Sequence, residues 1–141
     1  MKLYVLDTSV CGFVQNRYPA TMQHVQNALG QGDAVVTTIV AFGEDLGGWL
    51  PACRRAKTGL EREKAYLRLQ TGLEFYLTKD CLPFDRTASH ILDNLVAQKI
   101  RVGTNDLAIA AITLSVNGIL VTRNTVDFER VPDLIIEDWT K

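Results

Sequence analysis

Short apolar runs alternate with stretches whose apolar residues recur at helical spacing, and this alternation constrains the fold of the chain more than any other feature. Leu3-Tyr4-Val5-Leu6 stops at Asp7, and Ala34-Val35-Val36-Thr37, Ile119-Leu120-Val121 and Leu134-Ile135-Ile136 repeat the pattern. Runs this short suit strands buried on both faces rather than helices. Leu82-Pro83-Phe84 allows one more very short strand. Between the runs, Val10, Phe13 and Val14 are helically spaced, and Met22, Val25 and Leu29 mark a helix that stops at Gly30-Gln31-Gly32. Ile39, Phe42, Leu46, Trp49 and Leu50 share a helical face that Pro51 is expected to end. Residues 52–80 read as a basic helical hairpin with Tyr66, Leu69, Leu73 and Tyr76 as its buried stripe. Ala88, Ile91, Leu92, Leu95, Val96 and Ile100 form another amphipathic helix. The helix opening near Asn105-Asp106 is apolar nearly all round and is expected to be buried on several sides. Strands separated by helices throughout predict an α/β fold with a mainly parallel, helix-covered sheet.

The chain has 141 residues, 47% of them hydrophobic, which suits one domain spanning 1–141. No apolar stretch is long enough for a membrane span, and the four apolar residues after Lys2 are too few for a signal-peptide core. Cys11, Cys53 and Cys81 are odd in number and widely spaced, which argues against a disulfide framework or zinc knuckle and favours a cytoplasmic location. The net charge of −1 excludes a polybasic tail and at first sight disfavours a nucleic-acid partner. That balance is uneven, because residues 1–70 carry +2 and residues 71–141 carry −3.

The placement of the acids is the main functional signal. Parallel α/β sheets bind ligands at the carboxyl ends of their strands. Asp7 ends the first strand, Glu44 follows the second, Asp106 sits in the first turn of the apolar helix, and Asp127 follows the strand Ile119–Val121. Each has an ordinary structural reading: Asp106 as a helix-start acid, Asp7 as a cap, Glu44 as a solvated helix residue with Asp45 as its rival, and Asp127 as a turn residue. Together they are harder to explain. Two carboxylates about 5 Å apart repel by roughly 3 kcal/mol at an effective dielectric near 20. Such a group must protonate or bind a cation, and an all-oxygen set without His or Cys suits Mg²⁺ or Mn²⁺. That chemistry belongs to metal-dependent nucleases.

Val5-Leu6-Asp7-Thr8-Ser9, Glu44 with Gly48, Gly103-Thr104-Asn105-Asp106 leading into Ile109-Ala110-Ala111, and Val121-Thr122-Arg123-Asn124 followed by Asp127-Phe128 resemble, in order and spacing, a PIN domain. The pattern is most similar to VapC, the toxin of type II VapBC toxin–antitoxin pairs, and the resemblance spans essentially the whole chain. It implies a three-layer α/β/α fold and Mg²⁺- or Mn²⁺-dependent endoribonuclease activity. It matches Asp7, Glu44 and Asp106 to the principal acids, Asp127 to a fourth, and Asn124 with Thr8 or Ser9 to supporting polar positions. It also implies a homodimer and a VapB-like antitoxin that occupies the active-site groove.

The expected reaction is in-line attack by activated water on an RNA phosphodiester. RNA needs positive charge around an acidic site, and Arg54, Arg55, Lys57 and Arg62 of the hairpin are the expected phosphate grip, although Glu61 and Glu63 also suit a solvated face. His24 and His90 each lie within an amphipathic helix and do not form a cooperating pair. Ser9 replaces the second acid that a dehalogenase-type phosphatase requires, and no glycine-rich phosphate loop is present. The alternatives are a PIN-like module that holds RNA or a partner without cutting, and a PIN nuclease of RNA processing without an antitoxin. If the four site acids are offset by bound cations, fifteen basic residues face the other twelve acids, and RNA is no longer disfavoured.

Overall fold

In β1 (Leu3–Leu6), Tyr4 and Leu6 enter one apolar core while Val5 between them enters another. β2 (Ala34–Thr38) and β4 (Ile119–Val121) divide in the same way: Val35 and Val121 join the first core, and Val36 and Leu120 the second. Side chains of a strand alternate between its faces, so this division defines a sheet buried on both sides. The computed structural model describes residues 1–141. Its sheet is all parallel, in the order β3-β2-β1-β4-β5, with β3 at Cys81–Leu82 and β5 at Ile135–Glu137.

One face carries α1 (Thr8–Gln15), α2 (Pro19–Gly30), α3 (Ile39–Arg55) and α4 (Gly59–Leu77), which supply Val10, Val25, Ala41, Trp49 and Tyr76 to the first core. The other carries α5 (Arg86–Ala97), α6 (Thr104–Ser115) and the short α7 (Thr125–Phe128), with Leu95, Leu107, Ile109 and Phe128 in the second core. This is the expected three-layer α/β/α arrangement. Residues Leu107 to Thr113 of α6 are all buried, as its all-round apolar character implies. No helix is long and apolar enough to cross a membrane.

The helical hairpin departs from expectation. Pro51 does not end α3, which continues to Arg55, so residues 52–55 belong to α3 and the second arm is α4 alone. Proline at that position leaves the Gly47 carbonyl without a helical partner, and Gly47 is exposed, so water can satisfy it. Tyr66 and Leu73, expected in the buried stripe, are exposed, whereas Tyr76 is buried and Leu69 packs at the core edge. Ile39, expected on the apolar face of α3, is likewise largely exposed. The two helices meet closely at Gly72, where a Cβ would lie 2.0 Å from Cη2 of Trp49. That glycine is required by close approach. The outer strands are also offset from the apolar runs, β3 starting one residue before Leu82-Pro83 and β5 one residue after Leu134.

Successive strands run outward from β1 through β2 to β3 on one side, and from β4 to β5 on the other. The chain therefore reverses direction across the sheet beside β1 and β4. In open parallel sheets, the crevice beyond the strand ends at this point is where ligands bind.

Candidate active site

Asp7 stands at that crevice. Its backbone N–H donates to the Val121 carbonyl at 2.9 Å, which continues the β1–β4 ladder by one residue. As the N-cap of α1, its Oδ1 accepts from the Thr8 N–H at 2.7 Å. Its Oδ2 accepts from the Thr122 hydroxyl at 2.9 Å. The carboxyl group is thus fixed in orientation and only 6% exposed. Burial pushes its pKa up to about 6 despite the Thr122 and Thr8 hydrogen bonds, and the neighbouring charges of Asp106 and Glu44 push in the same direction.

The other acids arrive from three separate elements. Glu44 is exposed in the second turn of α3, where its Oε1 accepts from the Thr8 hydroxyl at 2.7 Å. Thr8 therefore touches Asp7 through its backbone and Glu44 through its side chain. Asp45 points elsewhere: its Oδ2 accepts from the Tyr76 hydroxyl at 2.5 Å, which ties α3 to α4. Asp106 is half-buried in the first turn of α6, and that helix has no side-chain capping bond at Gly103. Its pKa is raised, first by burial and then by the charges of Glu44 and Asp127. Asp127 lies in the single turn of α7, where its Oδ2 accepts from Asn124 Nδ2 at 2.9 Å and Arg130 lies 3.5 Å from Oδ1.

The crevice therefore gathers Asp7, Glu44, Asp106 and Asp127, with Thr8 and Asn124 orienting three of them. Ser9 is exposed and makes no side-chain hydrogen bond. Arg54 and Arg55 end α3, ten residues beyond Glu44 and so about 15 Å along the helix at 1.5 Å per residue. Arg62 donates from its side chain to the Ala56 carbonyl at 3.0 Å, and Lys57 donates its backbone N–H to Glu61 at 2.8 Å, so the Arg62 side chain and the Lys57 backbone help to start α4. Sequence reasoning passed over Thr122, whose hydroxyl holds Asp7 while accepting the Asn124 N–H at 3.0 Å. The signal was available, since a hydroxyl residue directly after a strand that pairs with the Asp7 strand is placed to reach it.

No three His, Cys, Asp or Glu side chains close into a ready-made metal cage, and none of the four acids lines a cavity. The acids instead form an open rim with oxygen donors only. Burial first, and then the neighbouring carboxylates, raise the pKa values of Asp7 and Asp106. A hard divalent cation is the ligand whose chemistry this donor set fits.

No family model matches the chain. It is similar along its length to ribonuclease VapC2 of Rickettsia felis, with 26% identity over 99% of both chains. The tRNA(fMet)-specific endonuclease VapC of Shigella flexneri is 29% identical over 99% of this chain and all of its own. Among solved structures, VapBC-1 of nontypeable Haemophilus influenzae superposes with a TM-score of 0.77 and 25% identity, covering 99% of each chain. The fold is that of a PIN-like α/β domain. Within that class, the full-length relatives to which the chain is similar are named VapC ribonucleases.

Proposed function

We propose that this chain is an endoribonuclease, the toxin of a type II toxin–antitoxin pair, and that it hydrolyses RNA phosphodiester bonds with Mg²⁺ or Mn²⁺ at the β1–β4 crevice. The observation that carries this reading is the convergence of Asp7, Glu44, Asp106 and Asp127 on the topological switch point, with Asp7 buried and charge-stressed. Full-length similarity to VapC ribonucleases supports the activity, and similarity to VapC in a VapBC complex supports an antitoxin partner. An apolar groove of Ile39, Phe42, Leu73, Tyr76, Leu77 and Cys81 offers a protein partner such as that antitoxin a surface to cover.

In this reading Asp7, Glu44 and Asp106 hold the cation and Asp127 assists. The cation supplies activation of water and neutralisation of charge at the phosphate. The protein's share is preorganisation. Thr122 and the Thr8 N–H fix both oxygens of Asp7, the Thr8 hydroxyl fixes Glu44, and Asn124 with Arg130 aims Asp127. Carboxylates fixed in advance need little reorganisation when charge develops on the phosphate.

The test is cleavage of an RNA pool by purified protein in Mn²⁺ or Mg²⁺, beside EDTA and Asp7→Asn controls. Cleavage that requires the cation and Asp7 is expected. Equal cleavage by the wild type and Asp7→Asn would overturn the assignment, and RNA binding without cleavage in any preparation would favour a non-cutting module.

A further inference from the structure

Arg123 occupies an unusual position in the chain. The residue before it, Thr122, bonds to Asp7, and the residue after it, Asn124, bonds to Asp127. Its backbone is therefore fixed between two site acids, yet its side chain forms an ion pair with neither. The guanidinium lies over the ring of Phe13, 5.7 Å from the centroid. Phe13 in turn meets Tyr18 edge-on, with centroids 5.1 Å apart. Phe13, Tyr18, Arg123 and Thr140 line a surface cavity of about 180 Å³.

The donors of Arg123 are free. It is exposed, and the chain's one ion pair joins Arg130 to Asp127 instead. Arg123 acts on Asp138 only through its charge, without an ion pair, and Asp138 Oδ1 accepts from the Thr140 N–H at 2.8 Å and the Thr140 hydroxyl at 2.6 Å. A guanidinium resting against an aromatic ring, with no ion-pair partner, keeps its fork of donors available, and that fork matches two oxygens of a phosphate. Tyr18 is 42% exposed and so presents ring surface to the cavity. Exposed aromatic rings beside a cation are the elements that hold single-stranded nucleic acid, by stacking bases and neutralising phosphates.

We propose that the Phe13–Tyr18–Arg123 pocket is a nucleotide subsite for single-stranded RNA, holding the residue next to the scissile phosphate. Arg123 forks onto a backbone phosphate, Phe13 backs the guanidinium, and Tyr18 stacks the base. The inference rests on the ribonuclease reading and extends it by giving the RNA a phosphate grip whose backbone is held between Asp7 and Asp127, whereas Arg54 and Arg55 lie about 15 Å beyond Glu44 along α3.

The test is equilibrium binding of a labelled, mixed-sequence, short single-stranded RNA to Asp7→Asn protein in Mg²⁺, with further substitutions on that background. Arg123→Ala is expected to weaken binding about tenfold and to lower the slope of log affinity against log salt by about one. Arg123→Lys should restore the salt slope and only part of the affinity. Tyr18→Ala should cost about fivefold and Tyr18→Phe almost nothing, as stacking requires. Both residues are exposed, so thermal midpoints should stay within a degree or two of the parent. Unchanged affinity in both Arg123→Ala and Tyr18→Ala would overturn the subsite alone. If the Asp7→Asn parent binds no RNA and the wild type cuts none, the ribonuclease reading falls, and the subsite with it.

Discussion

The β1–β4 crevice and the far end of the α3–α4 hairpin treat charge in opposite ways. In the hairpin, charged groups serve local structure: Glu61 takes the Lys57 N–H, Arg62 takes the Ala56 carbonyl, and Thr58 caps α4. Lys57, Thr58, Glu61 and Arg62 are all exposed. At the crevice, carboxylates from four elements face one another with a single arginine among them, and burial raises the pKa of Asp7 and Asp106. The hairpin arrangement lowers free energy. The crevice arrangement raises it in the cation-free protein, and such a cost persists where a ligand repays it.

The largest expected effect lies in the crevice. Asp106→Asn should reduce RNA cleavage roughly a thousandfold, about 4 kcal/mol of transition-state stabilisation, without unfolding the domain. A single-turnover assay beside a thermal melt checks this, and a large fall in midpoint would instead make Asp106 a structural acid of α6. Next comes the packing that joins the hairpin to the core. Gly72→Ala should destabilise the fold by about 3 kcal/mol in urea titration, because its Cβ would overlap the buried Trp49 ring. A loss below about 0.5 kcal/mol would mean that the two helices separate freely.

The crevice also carries a pH dependence. The pKa of Asp7 rises from 3.8 to about 6 on folding, so between these values the folded state binds more protons than the unfolded one. Stability contributed at this group therefore falls as pH rises through that window. Asp7→Asn should gain roughly 2 kcal/mol above pH 6 and nothing below pH 4, measured without divalent ions. A gain that is the same at both pH values would remove the electrostatic account. The smallest effect belongs to Thr122→Val, which removes one hydroxyl from Asp7 and should slow cleavage about tenfold by loosening an orienting contact. No change in rate would show that the Thr8 N–H suffices.

Much of this fold could be read from local pattern because strands buried on both faces write themselves as short apolar runs. β1, β2 and β4 fall on those runs, and α6 follows from its all-round apolar sequence. The hairpin was less legible. The cost of Pro51 depends on whether the Gly47 carbonyl can reach water, and the exposure of Tyr66 and Leu73 depends on which side of α4 finds a partner. Neither is local information. The four acids were visible as strand-end and helix-start residues, but Glu44 and Asp45 could not be separated without knowing that Tyr76 comes within reach of Asp45. Thr122 became meaningful only through the parallel β1–β4 register that sets it beside Asp7.

The claim that the crevice holds charge in readiness for a divalent cation is tested most directly by thermal midpoints at neutral pH with increasing Mn²⁺. The wild type should start lower than Asp7→Asn and rise with Mn²⁺, while Asp7→Asn starts higher and responds weakly. Equal starting midpoints with the same Mn²⁺ response in both proteins would contradict the account.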